Sequence, residues 1–329
     1  MKPFQYQRAG DVAAAVRVVA NNPNAAYLAG GTNLVDLMKL EVQSPEVIVD
    51  VRELTSNRIE LLDDGAVRIG ASVTNTDLGS DPLIRERYPV LSEAVLAGAS
   101  GQLRNLATVG GNLLQNTRCV YFQDPSTPCN KREPGTGCAA LTGFQRQHAI
   151  LGASEHCIAT HPSDMAVAMV ALDAVVRVQG LDGQRSIPLV ELHRLPGDTP
   201  PKNTVLERGD LILSVDLPPV PAARSRYLKV RDRASFAFAL CSTAAAVTMR
   251  DDVIDDIRLA FGGVAHKPWR AVQAEDALRG ERATVDAFTA AVEAELAGAR
   301  AMPGNQFKIP LLRNLVVSTL AELTGVTLP

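Results

Sequence analysis

Two short glycine motifs constrain this chain more than any other feature. "LAGGTNL", Leu28 to Leu34, and "ATVGGNL", Ala107 to Leu113, each set a glycine pair beside a threonine and an asparagine. The first follows an apolar stretch, AAYL, and runs into LVDLMKL, so it reads as strand, turn and helix. Glycines at such a turn let the backbone bend sharply and approach a ligand, and free N–H groups at a helix start favour a phosphate. Thr32 and Asn33 add side-chain donors. Taken singly, each motif reads equally as a strand-to-helix turn with glycines for geometry. Neither is a GxGxxG fingerprint, and the regular βαβ context is missing. Together they suggest a ligand with two phosphates, held by backbone from both sides. Leu28, Ala29, Gly30, Gly31, Thr32, Asn33 and Leu34 form one loop, and Thr108, Gly110, Gly111 and Asn112 the other.

At 329 residues the chain has room for two or three domains. With 46% apolar and 21% charged residues it can build a sizeable core. The net charge of −3, with both signs interspersed, lacks the basic footprint of a nucleic-acid binder. No apolar run is long enough to span a membrane. MKPFQYQRAGDVAAAV lacks the apolar run and cleavage site of a signal peptide, so a protein without its own export signal is expected.

Along the chain, Asp11 caps a helix through about Asn22, with Val12, Val16 and Val19 at helical spacing. EVIVDV reads as a buried strand. NRIELLDDGAVRIGAS reads as a hairpin turning at Asp64-Gly65. Residues 83–99 look helical, residues 123–137 read as loop, and HAILGA looks extended. Ser163 caps the helix DMAVAMVALDA, a hairpin follows around 180–183, and LILSVDLP is a strand. PPVPAA, 218–223, is a break, and a domain boundary is placed near residue 222. Strands and then mainly helices follow it. The architecture is α+β.

Four of the five cysteines, Cys119, Cys129, Cys138 and Cys157, fall between residues 119 and 157. This is not disulfide density, and a reducing compartment favours metal for clustered thiols. Their spacings are nine, eight and eighteen intervening residues, so no CxxC pattern applies. On chemistry alone an iron–sulfur cluster and a structural zinc stand level, with disulfides behind them. Zinc could recruit His148, His156 or His161, which otherwise read as surface residues or as donors behind the ligands. Cys241, within FAFALCSTAAAV, reads as a core residue.

The two glycine motifs, followed by "HPSDMAVAMVALDA", "YLKVRDRASFAFAL" and "LAFGGVAHKPWRA", resemble the FAD-binding subunits of the molybdenum hydroxylases. These are the relatives of xanthine dehydrogenase and carbon monoxide dehydrogenase, and the resemblance covers essentially the whole chain. The cysteines make it most similar to the FAD subunit of bacterial heterotrimeric aldehyde oxidoreductases. The resemblance implies a two-part FAD-binding domain of the vanillyl-alcohol-oxidase/PCMH type over 1–222, with subdomains of about 1–56 and 57–222. A smaller α+β flavoprotein domain would occupy 223–329. It implies that both glycine loops wrap the FAD pyrophosphate. Asp164 would bond the ribityl or ribose portion, Ile212 would line the flavin, and Lys229 would lie near the isoalloxazine. By themselves Lys229 reads as a solvated strand lysine and Asp164 as a helix N-terminal acid. Residues 113–162 are an insertion between the "GGN" loop and the "SD" helix. Some relatives carry a [4Fe–4S] cluster in such an insertion, which makes Cys119, Cys129, Cys138 and Cys157 its ligands.

The resemblance thus implies an electron-transferring oxidoreductase subunit. Its expected partners are a molybdenum-cofactor subunit, a [2Fe–2S] subunit and an external electron acceptor. The complex would oxidise an aldehyde or N-heterocycle. No acid–base or nucleophilic residue of the hydrolase kind is expected, and His266 reads as structural. Two rivals stand beside this reading, a stand-alone FAD oxidoreductase and a zinc-stabilised binding scaffold without activity. The chain by itself predicts the cytoplasm; a complex exported on a partner's signal would be periplasmic.

Overall fold

A computed structural model describes residues 1–219 and 224–328. The boundary expected near residue 222 lies outside the described residues. Three sheets organise the molecule. The first is parallel, in the order β1 (Gln5–Arg8), β3 (Val47–Asp50), β2 (Ala25–Leu28), and carries α1 (Val12–Asn21). Asp11 caps α1 as expected, accepting from the Ala14 N–H at 2.7 Å. β2 leads through the first glycine loop into α2 (Leu34–Lys39).

The second sheet is antiparallel, in the order β4 (Ile59–Leu61), β5 (Val67–Gly70), β8 (Leu211–Leu217), β6 (Val175–Gly180), β7 (Gly183–Pro188). Gly65 turns the β4–β5 hairpin at φ 82°. The stretch expected as one helix over 83–99 is two, α4 (Pro82–Arg87) and α5 (Pro89–Ala97), following α3 (Asn75–Ser80). Pro89 cannot donate to the preceding turn, and Tyr88 leaves the helical region at φ −134°, ψ 56°. Short helix α6 (Gly101–Arg104) precedes the second glycine motif, whose glycines lie within the short helix α7 (Val109–Leu113), and α8 (Val120–Gln123) begins the cysteine segment. From there to residue 163 only a 3₁₀ turn, Ala139–Leu141, interrupts the loop. HAILGA, expected to be extended, forms no regular strand, only a bridge between Leu151 and Ala265.

Helix α9 (Asp164–Ala171), capped by Ser163 Oγ on the Ala166 N–H at 3.0 Å, is buried along its whole length. It fills the core between the second sheet, α5 and the third sheet. α10 (Leu189–Leu192) closes that layer. The third sheet is antiparallel, in the order β12 (Trp269–Arg270), β11 (Val253–Gly262), β10 (Cys241–Arg250), β9 (Arg224–Val230). Its outer face is covered by α11 (Val272–Leu278), α12 (Val285–Leu296) and α13 (Lys308–Thr324). Cys241, fully buried, belongs to this last core as expected.

The cores run across the boundary expected near residue 222. Tyr227, Ala244 and Ala260 of the third sheet pack into the core around α9, while Ile150 and Leu151 of the cysteine segment pack into the C-terminal core. Among the described residues no helix is long and apolar enough to cross a membrane.

Candidate functional site

The two glycine loops meet. A Cβ on Gly30 would sit 1.8 Å from the Leu106 carbonyl oxygen, so the first loop lies against the backbone of the second. Gly31, at φ +73°, makes the turn into α2. In the second loop Thr108 Oγ1 accepts from the Gly111 N–H at 3.3 Å, so this threonine caps α7 rather than standing free. Gly110 donates to the Ala71 carbonyl at 3.0 Å, which pins the loop to the end of β5. Asn33 Oδ1 accepts from the Asn116 N–H at 2.9 Å, tying the start of α2 to the segment beyond the second loop. The Asn33 Nδ2 is buried with no protein partner, a donor left for a ligand. Asn112 accepts from Ser163 Oγ, linking the second loop to the cap of α9. Loop, loop and helix start form one polar cradle.

Beside the start of α9 opens a cleft. The cysteine segment and Thr160 to Asp164 form one wall, and Phe238, Ala239, Ser242, Gly262 and Gly263 of the C-terminal domain form the other. His161 Nε2 and Ser242 Oγ, both lining it, are buried without protein partners. Arg118, burial of which lowers its pKa, lies over the Phe238 ring at 5.2 Å at this cleft.

Asp164 lines the cleft and is held from the other domain. Its Oδ1 accepts from the Tyr227 hydroxyl at 2.5 Å and its Oδ2 from Lys229 Nζ at 2.8 Å. Lys229 also donates to the Ala97 carbonyl at 3.2 Å. Burial, then the adjacent Asp164 carboxylate, pushes the Tyr227 phenol well above its usual range. Asp164 and Lys229, singled out separately in the sequence, are therefore each other's partners. Lys229 is not among the residues lining the cleft and reaches it through Asp164. Ile212, expected at the flavin, is 2% exposed within the core around α9 and lines none of the clefts described here. Tyr227 went unnoticed, although it stands two residues before Lys229 on one strand and so on the same face.

All four clustered cysteines line a second cavity, with Phe122, Ala140 and Ala159 among its apolar walls. All four are free thiols. Cys129 faces Cys138 across a β-bridge. Burial pushes the Cys119 thiol up to about 12 and that of Cys157 to about 11, so thiolates here need a neutralising cation. Lys131, 7% exposed, lines the same cavity and is held by His266 Nε2 at 2.8 Å, the Pro200 carbonyl at 3.0 Å and Asn203. His266 in turn meets the Ala159 carbonyl through Nδ1 at 3.1 Å. Of the histidines considered for zinc, His156 pairs with Asp198 at 3.5 Å and His161 packs edge-on against His193, ring centroids 4.3 Å apart. Only His148 contacts a thiol, with Nε2 at 3.1 Å from Cys119 Sγ. Among the described residues, no three His, Cys, Asp or Glu side chains are gathered as they would be around one metal ion.

A polar cradle between paired glycine loops, joined through Ser163 to a cleft that the loops themselves do not line, defines a nucleotide-cofactor protein of the two-part α+β flavoprotein class. The chain belongs to the family described as the FAD binding domain in molybdopterin dehydrogenase, matched over residues 2–220, and residues 226–322 match the CO dehydrogenase flavoprotein C-terminal domain. It is 51% identical over 324 residues to the aldehyde oxidoreductase FAD-binding subunit PaoB of Escherichia coli (strain K12), covering 98% of both chains. It is 27% identical to the glyceraldehyde dehydrogenase medium chain of Sulfolobus acidocaldarius, covering 86% of this chain and 83% of that one. A solved carbon monoxide dehydrogenase chain from Hydrogenophaga pseudoflava superposes with a TM-score of 0.77 at 24% identity, covering 98% of each chain, which shows the shared fold. The protein is an oxidoreductase subunit that binds FAD.

Proposed function

We propose that this chain is the electron-transferring FAD subunit of a heteromeric molybdenum hydroxylase that oxidises aldehydes. In this reading a [2Fe–2S] partner supplies the electrons and an external acceptor removes them. The domains divide near residue 222 into an FAD-binding part and a C-terminal part, and matches to two separate families on either side, ending at 220 and beginning at 226, support that division. The observation that carries the reading is the cradle itself. Leu28 to Leu34 bring glycine-rich backbone to this place with Asn33 Nδ2 buried and unpartnered beside it, and the second loop braces them, its Val109 to Asn112 N–H groups being taken by Val73, Ala71 and Thr108. These residues fit a pyrophosphate. Gly30 and Gly31 let backbone rather than side chain meet it. Asp164, fixed by Tyr227 and Lys229, offers a carboxylate edge on the cleft for a hydroxyl-bearing chain. Phe238 and Val167 offer apolar surface there for a ring system. Bound FAD supplies one- and two-electron chemistry, and the protein binds, orients and shields it.

Cys119, Cys129, Cys138 and Cys157 are assigned as ligands of a [4Fe–4S] cluster. One cavity lined by four free thiols and apolar walls supports this. Each thiolate binds a different iron of such a cluster, so its ligands stand around a volume rather than converging on a point. That is consistent with a shared cavity where no single-ion group occurs.

The test is an anaerobic absorption spectrum of the purified protein with iron, sulfide and zinc analysis. Flavin bands with about four irons and four sulfides per chain support both cofactor assignments. Flavin with zinc and no iron removes the cluster and keeps the FAD subunit. Aldehyde turnover by the chain alone would replace the subunit reading with a stand-alone oxidoreductase. Folded, colourless protein that takes up no FAD would leave only the binding scaffold.

A further inference from the structure

Cys119 differs from the other three clustered cysteines in one respect: it lines both the cysteine cavity and the interdomain cleft. His148 lines the same cleft and sets its Nε2 at 3.1 Å from Cys119 Sγ. The His148 Nδ1 is buried and has no partner. The tautomer protonated on Nε2 therefore suits the site, with the N–H donating to sulfur.

The backbone of His148 is held from outside its own segment. The His148 carbonyl accepts from Lys308 Nζ at 2.9 Å and from Asn305 Nδ2 at 3.1 Å, both beside the start of α13. Its N–H donates to the Gln145 carbonyl at 2.9 Å, and the residue is 3% exposed. With its backbone fixed in this way, the buried side chain has little room to turn away from Cys119. Packing alone does not require an imidazole there, because an apolar ring would fill the same space without facing sulfur with a donor.

We propose that His148 is a positioning residue for the cysteine centre at its flavin-facing corner. It donates Nε2–H to the Cys119 thiolate, favours the more negative redox state of that centre, and marks the corner where cluster and flavin exchange electrons. The inference rests on the cluster reading above. Hydrogen bonds to ligand sulfur are among the factors that set such potentials, and a donor to a charged acceptor is stronger than a neutral pair.

The test uses the intact complex carrying wild-type protein, His148→Phe or His148→Gln. Iron and sulfide are measured first, and wild-type protein without iron overturns the cluster reading and this inference with it. With iron present, a redox titration follows the centre by electron paramagnetic resonance and the flavin separately by absorption. His148→Phe is expected to lower the reduced-to-oxidised ratio of the centre at fixed potential by about tenfold, which is about 59 mV for one electron. His148→Gln, which keeps an N–H donor, is expected to stay within about threefold of wild type. Iron-replete His148→Phe titrating with wild type would overturn the proposal, as would a glutamine variant shifted as far as the phenylalanine one. If His148→Phe loses iron, the glutamine variant decides: full iron with a wild-type potential supports the N–H donor, and iron loss in both refutes it.

Discussion

Gly30 and Gly111 look alike in the sequence, and the structure separates them. A methyl group on Gly30 would fall 1.8 Å from the Leu106 carbonyl oxygen and 3.1 Å from Ala107 Cα, both backbone atoms that cannot swing away. On Gly111 it would meet Thr108 Oγ1 at 3.1 Å and Ala29 Cβ at 3.9 Å, contacts that small shifts relieve. Gly30→Ala should therefore force the loops apart, costing about 3 kcal/mol, the upper range for overpacking. Flavin content should fall with it. Gly111→Ala should cost about 1 kcal/mol or less and retain flavin. Thermal unfolding with flavin quantification compares the two, and equal losses would refute the close approach of the loops. Which residues carry the glycine pairs was plain from the sequence. That Gly30 touches Leu106, some 75 residues on, depended on how two separate sheets pack.

At the scale of elements, β9 grips the start of α9 through Tyr227, Lys229 and Asp164. Lys229 and Asp164 side chains are 3% and 8% exposed, so each ion depends on the other. Asp164→Ala leaves a buried ammonium with only the Ala97 carbonyl and should destabilise by about 3–5 kcal/mol. Tyr227→Phe removes one hydrogen bond and should cost about 1.5 kcal/mol. Chemical unfolding of both variants measures the ratio; equal effects would mean that Lys229 finds another partner. Lys308, at the start of α13, gives a pH signature. Burial lowers its pKa from 10.5 to about 8, with Nζ donating to the His148 and Gly263 carbonyls. Between those values the unfolded chain binds the proton that the folded chain has released. Stability therefore rises with pH through this window, by up to about 1.4 kcal/mol per pH unit. Below about pH 8 the full cost of the buried charge is present. The wild-type-minus-Lys308→Met difference isolates this slope from other groups titrating there, and a flat difference would refute it.

Over the whole molecule, the cysteine segment and the C-terminal domain hold each other. Ile150 donates to the Val264 carbonyl at 2.9 Å, His161 to that of Ala265 at 2.9 Å, and Arg300 to that of Ile150 at 2.8 Å. With Ile150 and Leu151 inside the C-terminal core and Tyr227 inside the other, neither domain keeps its core intact alone. Calorimetry should show one cooperative transition, and Ile150→Ala should lower it as a unit at a cost of about 2–5 kcal/mol. Two separate transitions would refute this coupling.

Local physics was legible from the sequence wherever a short-range rule decides the outcome. Asp11 and Ser163 cap their helices, Gly65 turns its hairpin, and the cysteine segment is loop, because capping, positive φ and Pro/Gly content act within a few residues. The break at Tyr88 was also local and was missed, since an apolar pattern can run straight through a Pro-initiated second helix. What the sequence could not decide was which side chains share a site. Asp164 meets Lys229 across 65 residues, Gly30 meets Leu106, and Cys119 joins both the other cysteines and the cleft. Those meetings are set by sheet order and by a segment packed into two cores, and burial then turns ordinary residues into partners whose charges and hydrogen bonds must be satisfied within the protein.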